Sequence, residues 1–320
     1  MIVTFTPNPS LDRSAMLNGA LTRGGVHRLS AITTEPGGKG VNVARAVHLA
    51  GRSTLAVVPA DRHDPLITAL AELGLPHRFV EIGAPVRTNL TLTESDGTTT
   101  KLNEPGAELT AEHIELLTDM LVGSARSARW VALCGSLPPA APVDWYPRMV
   151  RALRPLGVRI AVDTSDAPLE ALAGALPEAA PHLVKPNSEE LGQLTGLDGV
   201  ELEERAAAGD FAAITSAAAG LTEQGVEYVL VTLGGAGAIL STGGRAWHAS
   251  PPPTVVKSTV GAGDSSLAGF MLAHTAGSDP ADCLRLAVAY GSAAAGLPGS
   301  SIPGPAQADT SAVTITALDH

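Results

Sequence analysis

Thr259-Val260-Gly261-Ala262-Gly263-Asp264 is the stretch from which the rest of the chain is read. Its small residues run into an Ala-rich helical pattern from about Ser265 to His274. Glycines at a helix start let backbone N–H groups converge on an anion, and the positive end of the helix dipole adds to that field. An acidic residue there is out of place if anion binding is the only task. It has a purpose if a carboxylate must stand beside a transferring phosphoryl group and take a hydroxyl proton. An Asp that only caps a glycine-rich turn gives the same spacing, so the segment alone leaves both readings open.

Working outward, short apolar runs at 3–6, 54–59, 130–133, 159–162, 183–185 and 228–232 read as buried strands. Helical patterns near 41–50, 64–73, 110–125, 143–154 and 211–223 lie between them. This alternation implies βα units and an α/β fold with a mainly parallel, covered sheet. Residues 15–34, around Arg23-Gly24-Gly25, and 86–104, with a turn signal at Asp96-Gly97, break the pattern. Polar on one face, they are expected to form a small β-layer able to cover a ligand; surface hairpins without a role would look the same. Past residue 274, a second apolar helix is expected from about Asp282 to Ala295, then a Gly-, Pro- and Ser-rich tail that turns strand-like at 313–318.

Composition narrows the function. A hydrophobic fraction of 45% in 320 residues is that of a folded chain. No run reaches the ~18 apolar residues of a membrane helix. The N-terminal MIVTFTPNPS lacks a basic region and meets Pro7 at once, so it reads as a first strand, and a cytoplasmic protein is expected. Cys134 and Cys283, the two cysteines, make neither a disulfide framework nor a zinc site. A net charge of −11 argues against nucleic-acid and anionic-membrane partners. It leaves room for a phosphorylated small molecule, which needs only a few local cations and N–H groups.

Glu35-Pro36-Gly37-Gly38-Lys39-Gly40-Val41-Asn42 also places glycines before a helix. It has neither GxGxxG spacing nor the GxxxxGK[ST] of a Walker A loop. A sugar site fits better: glycine lets hydroxyls approach the backbone, and Lys39 and Asn42 supply polar contacts. A loop with a solvent-facing lysine is the alternative. In Lys185-Pro186-Asn187-Ser188-Glu189-Glu190, Asn187 and Glu190 stand three apart at a helix start. They suit Mg²⁺ through its retained waters and equally suit a capping box. Thr232-Leu233-Gly234-Gly235-Ala236-Gly237 ends a buried strand and could offer amides to nucleotide phosphates, as could a plain hairpin turn. Asp12 lies just beyond the first strand, where α/β proteins bind ligands, or is a turn residue. Arg87 and Asn89 on the second polar stretch, and Arg28 on the first, are candidate phosphate ligands or plain exposed strand polarity.

In this order the motifs resemble the ribokinase-like, PfkB-type carbohydrate kinases, from residue 4 to about 301. The anchors are Gly37-Gly38-Lys39-Gly40-x-Asn42 and Gly261-Ala262-Gly263-Asp264, with Lys185-Pro186-Asn187 between. Thr6-Pro7-Asn8-Pro9-Ser10-x-Asp12, Leu102-Asn103-Glu104-Pro105-Gly106 and Gly135-Ser136-Leu137-Pro138-Pro139 are most similar to its bacterial 1-phosphofructokinase branch. Tagatose-6-phosphate kinase and the minor 6-phosphofructokinase share much of the pattern, the latter with Gly where this chain has Lys39.

The resemblance implies a three-layer α/β/α fold with a mostly parallel central sheet and a small β-sheet lid, in one kinase domain over 1–320. It implies ATP and Mg²⁺ as cofactors, a small phosphorylated sugar as substrate and a homodimer formed through the lid. By motif, Asp264 is the implied base and Gly261, Ala262 and Gly263 its anion hole. Lys185, Asn187, Thr232, Gly234 and Gly237 serve the nucleotide, and Asn187 with Glu190 the Mg²⁺. Asp12, Gly37, Gly38, Lys39, Asn42 and Ser136 match sugar-contacting positions, while Arg87 and Arg28 match ligands of the existing phosphate. The expected reaction is fructose 1-phosphate to fructose 1,6-bisphosphate, with a 6-phosphate kinase next. A non-catalytic sugar-phosphate sensor would not need Asp264. A nicotinamide oxidoreductase lacks its GxGxxG.

Overall fold

Alternate residues of the central strands pack into different layers. In the computed structural model, which describes residues 1–318, Val3 and Phe5 of β1 (Ile2–Phe5) join one core cluster and Ile2 the other. In β8 (Trp130–Cys134), Val131 and Leu133 face the first cluster, and Trp130, Ala132 and Cys134 the second. A period of two with both faces apolar is what a sheet covered on both sides requires.

The other strands of this sheet are β4 (Thr54–Pro59), β5 (His77–Val80), β9 (Arg159–Asp163), β10 (Leu183–Val184), β11 (Tyr228–Thr232), β12 (Ala238–Thr242), β13 (Arg245–Ser250) and β14 (Thr314–Leu318). The order is β14-β13-β12-β11-β10-β9-β8-β1-β4-β5. Pairing is parallel from β5 to β11 and antiparallel from β11 to β14. The helices are α1 (Lys39–Leu49), α2 (Pro65–Glu72), α3 (Ala111–Ala125), α4 (Trp145–Leu153), α5 (Asp166–Ala173), α6 (Ser188–Thr195), α7 (Gly199–Ala207), α8 (Ala212–Glu223), α9 (Ala262–Ala276) and α10 (Pro280–Ala295). Helices α3, α4 and α8 cover one face through Leu117, Leu121, Trp145 and Ile214. Helices α1, α9 and α10 cover the other through Val47, Phe270 and Leu284. The expected three-layer α/β/α architecture is present. No described helix is long and apolar enough to cross a membrane.

A second sheet has the order β3-β2-β6-β7, from β2 (Ser10–Leu17), β3 (Leu29–Gly37), β6 (Arg87–Thr93) and β7 (Thr99–Asn103). Ala15, Leu17 and Leu92 are its small apolar centre. Strands β6 and β7 lie within 86–104, whereas β2 begins before residue 15 and β3 runs past residue 34. Residues 10–14 are mostly polar and pair with β6 in register from Ser10↔Arg87 to Ser14↔Thr91. Asp12 therefore sits inside a strand of the small sheet rather than in a turn. Glu35, Pro36 and Gly37 continue β3, with Gly37 opposite Ser10.

The parallel strands end on one edge, where α1, α6 and α9 begin. Asp163 closes β9, Lys185 follows β10 directly and Thr232 closes β11. Strand C-termini facing helix N-termini form the usual ligand-binding edge of α/β sheets.

Candidate active site

Gly261 adopts φ 77° as the N-cap of α9, a left-handed conformation that glycine takes without strain. Asp264 then falls in the first turn, 7% exposed. Asn42 Nδ2, from α1, donates to Asp264 Oδ2 at 2.9 Å. Burial raises the Asp264 pKa to about 6, and the charge of Asp163 adds to this. Lys39, the Asn42 hydrogen bond and Lys185 pull the other way. A carboxyl titrating near neutrality is well placed to exchange protons at physiological pH.

Asp163 has a fully buried side chain and bridges two lysines. Lys39 Nζ donates to Oδ1 at 2.8 Å, and Lys185 Nζ lies 3.2 Å from Oδ2. Burial alone would raise the Asp163 pKa; the two ammoniums outweigh it and hold the carboxyl below its ordinary value. Burial likewise opposes the Lys39 charge, but Asp163, Glu190 and Asp264 together raise its pKa. Glu190 Oε1 stands 3.7 Å from Lys39 Nζ. A Cβ on Gly263 would lie 3.1 Å from Lys185 Nζ, so that ammonium packs against the glycine turn of α9. Two cations and a run of amides thus surround the carboxylate that could act as base, an arrangement able to stabilise a transferring phosphoryl group.

On the small-sheet side, Ser10 Oγ and Asn89 Nδ2 donate to Asp12 Oδ1 at 2.8 and 3.1 Å. A Cβ on Gly37 would collide with the Asp12 carboxylate, so this glycine makes room for it. Gly38, with φ 103°, packs on Thr6 and Pro9. Arg87 Nη1 donates to Glu104 O at 3.3 Å. Arg87 Nε and Asn89 Oδ1 are buried without partners. Burial lowers the Arg87 pKa against the pull of Asp12. Unpaired polar atoms of this kind have bonding capacity left for a ligand or for water. Ser136 lies half-buried just past the end of β8. Arg28 is exposed and makes no hydrogen bond or ion pair among the described residues, so the chain by itself does not bring it into the cluster.

Thr232, Gly234 and Gly237 line a cleft of about 710 Å³ together with Ala262 and Gly263. Its walls include Phe211 and His248, stacked at 4.0 Å between ring centroids, and Pro251 to Pro253. A cleft of this volume has room for a ligand of nucleotide size beside the glycines and the start of α9. Asn187 and Glu190 form a capping box: Asn187 Oδ1 accepts from Glu190 N at 2.8 Å and Glu190 Oε2 from Asn187 N at 2.9 Å. Glu190 Oε1 takes no part in the capping box and stands 3.7 Å from Lys39 Nζ. No cluster of three or more acidic, His or Cys side chains that could hold a metal occurs among the described residues. The donors therefore fit Mg²⁺ carried on nucleotide phosphates with its own waters, and not an all-protein cage.

Asp163 has no motif around it and went unread in the sequence. Its one signal is an acidic residue ending an apolar run. Phe211 and His248 have no sequence signal; distant elements bring them together.

The sequence model of the pfkB family carbohydrate kinases matches residues 8–307. The 1-phosphofructokinase of Xanthomonas campestris pv. campestris is 34% identical over 292 residues, covering 90% of this chain and 89% of that protein. The ATP-dependent 6-phosphofructokinase isozyme 2 of Escherichia coli is 32% identical over 297 residues, 92% of each. A crystal structure of phosphofructokinase-2 from Escherichia coli, in complex with substrates and products, superposes with a TM-score of 0.85 at 30% identity, covering 96% of both chains.

Proposed function

The chain belongs to the pfkB family of carbohydrate kinases, and we propose that it moves a phosphoryl group from ATP to fructose 1-phosphate, giving fructose 1,6-bisphosphate. The observation that carries the mechanism is Asp264: a buried carboxyl in the first turn of α9, held by Asn42 and brought to a pKa of about 6. On this reading Asp264 accepts the proton of the attacking hydroxyl. The amides of Gly261, Ala262 and Gly263 and the ammonium of Lys185 hold the charge of the transferring group. Thr232, Gly234 and Gly237 seat the nucleotide. Asn187 and Glu190 would hold a nucleotide-borne Mg²⁺, which would neutralise phosphate charge.

The acceptor lies under the small sheet, with Asp12, Gly37, Gly38, Lys39 and Ser136 around its hydroxyls and Arg87 and Asn89 on its phosphate. Their unpaired buried Nε and Oδ1 favour an anionic, hydroxylated ligand. Furanose fructose is nearly pseudo-symmetric, since a phosphate at C1 leaves a hydroxyl at C6. The same pocket would hold a 6-phosphate turned end for end, and this is the second reading.

We read residues 1–320 as one kinase domain with a lid of β2, β3, β6 and β7. Met16, Ile32 and Leu102 leave that sheet with exposed apolar side chains, and an unpaired edge favours pairing with a second copy. A homodimer through the lid follows, in the cytoplasm where ATP and sugar phosphates occur.

The test follows ADP release from Mg²⁺-ATP and fructose 1-phosphate by the wild type and by Asp264→Asn. Loss of the base should cut kcat by at least ~10²-fold with binding largely kept. An Asp264→Asn enzyme within a few-fold of wild type would remove Asp264 from the mechanism.

A further inference from the structure

Asn42 has two faces, and the chain engages both. Its amide nitrogen donates to Asp264 Oδ2 at 2.9 Å. Its amide oxygen lies 3.5 Å from Arg45 Nη1, one turn further along α1. That separation is long for a hydrogen bond, so Arg45 acts on it chiefly through charge. Beside a guanidinium, which has only donors, the amide must present its oxygen. The nitrogen is thereby aimed at Asp264. A flipped amide would set its NH₂ against Arg45 and its oxygen against the carboxylate, unfavourable at both ends.

Arg45 is itself fixed from outside α1. Nη1 donates to Pro36 O at 3.0 Å and Nη2 to Glu35 Oε1 at 3.1 Å. Glu35 is held in turn by Ser300 Oγ, which donates to its Oε2 at 2.7 Å. Arg45 is 9% exposed, so its charge is little screened by water. Glu35 lies in β3 directly opposite Asp12 of β2. The strand that anchors Arg45 is therefore paired to the one that carries a sugar-contacting carboxylate.

We propose that Arg45 is a positioning residue for the phosphoryl-transfer base: anchored by Glu35 on the lid, it orients the Asn42 amide, and Asn42 orients Asp264. This rests on Asp264 being the base. Arg45 does not line the nucleotide cleft, and its link to Asp264 runs through Asn42.

The experiment is a double-mutant cycle on the whole enzyme, reading kcat, the KM of each substrate and Tm. Arg45→Met and Asn42→Ala should each lower kcat about tenfold or more, because small misplacements of a reacting group are costly. KM for ATP should stay within about twofold. The double variant should be no slower than Asn42→Ala, since the coupling runs through that residue. Fully multiplicative losses, or Arg45→Met with lowered Tm and unchanged kcat, would overturn the proposal. If Arg45→Met does not fold, Arg45→Lys replaces it. Its ammonium keeps the charge but cannot span Glu35, Pro36 and Asn42, so kcat should still fall, and wild-type kcat would count against the relay. Asp264→Asn in the same assay separates the two claims. If it turns over normally, the base assignment fails; if it is inactive while the Arg45 variants are not, the relay alone fails.

Discussion

Lys39 Nζ and Asp163 Oδ1 lie 2.8 Å apart although 124 residues separate them in the chain. The pair joins the start of α1 to the end of β9, and Lys185 takes the other oxygen of the same carboxylate at 3.2 Å. Asp163 is thus the anion that sets two cations at the site while raising the pKa of Asp264 through its own charge.

Asp163→Asn tests both effects. With the anion gone and two ammoniums released, Asp264 should ionise more easily. The acid limb of kcat/KM, expected near pH 6 in the wild type, should move to lower pH. Stability should fall by roughly 3–5 kcal/mol, because Lys185 is left buried without a partner. A pH–rate profile and a thermal melt read the two outcomes, and an acid limb that stays put would contradict the electrostatic account.

Asp264→Asn should be the more stable protein at alkaline pH. The folded pKa of about 6 lies above the ordinary carboxyl value of 3.8, so the native state binds the proton more tightly than the unfolded state does. The associated stability is fully present below the unfolded value and is lost as pH rises through the folded one. At pH 8 the ionised carboxylate therefore costs up to about 3 kcal/mol, which the neutral amide avoids. Melting curves should show the variant ahead by several degrees at pH 8 and level with wild type near pH 4. An equal or lower Tm at pH 8 would mean that Asp264 is not strained by its burial.

Gly37→Ala should raise the KM of the sugar phosphate by about tenfold and leave that of ATP unchanged. The new Cβ would meet the Asp12 carboxylate, which must then leave its bonds from Ser10 and Asn89. Steady-state kinetics with each substrate varied in turn would show it. A rise confined to the KM of ATP would place Asp12 in the wrong half of the site.

Strands β1, β4, β8, β9, β10 and β11 were readable because apolar residues dominate each, as 130–133 and 228–231 show; β5, β12 and β13 went unread. The glycine turns were readable because φ values such as the 77° of Gly261 restrict the residue type. What escaped depends on distance in space. Asp163 is one acidic residue after Ala161 and Val162 until Lys39 and Lys185 arrive from other elements. Residues 10–14 carry one apolar residue, Leu11, which packs against a core cluster, so no alternation shows; strand pairing and polar contacts hold the rest of that part of β2. Asn187 and Glu190 were open between capping and metal binding. The capping box forms through Glu190 Oε2, and Glu190 Oε1, 3.7 Å from Lys39 Nζ, leaves the second role compatible with it.

The most direct test of the proposed function is kcat/KM for fructose 1-phosphate, fructose 6-phosphate, tagatose 6-phosphate and free fructose with Mg²⁺-ATP, followed by ADP release. The account predicts a preference for fructose 1-phosphate of at least ~10²-fold, about 2.7 kcal/mol of differential transition-state binding. A preference for either 6-phosphate would contradict the assigned substrate and turn the sugar end for end against Asp264; turnover of none of the four would contradict the assigned acceptor class altogether.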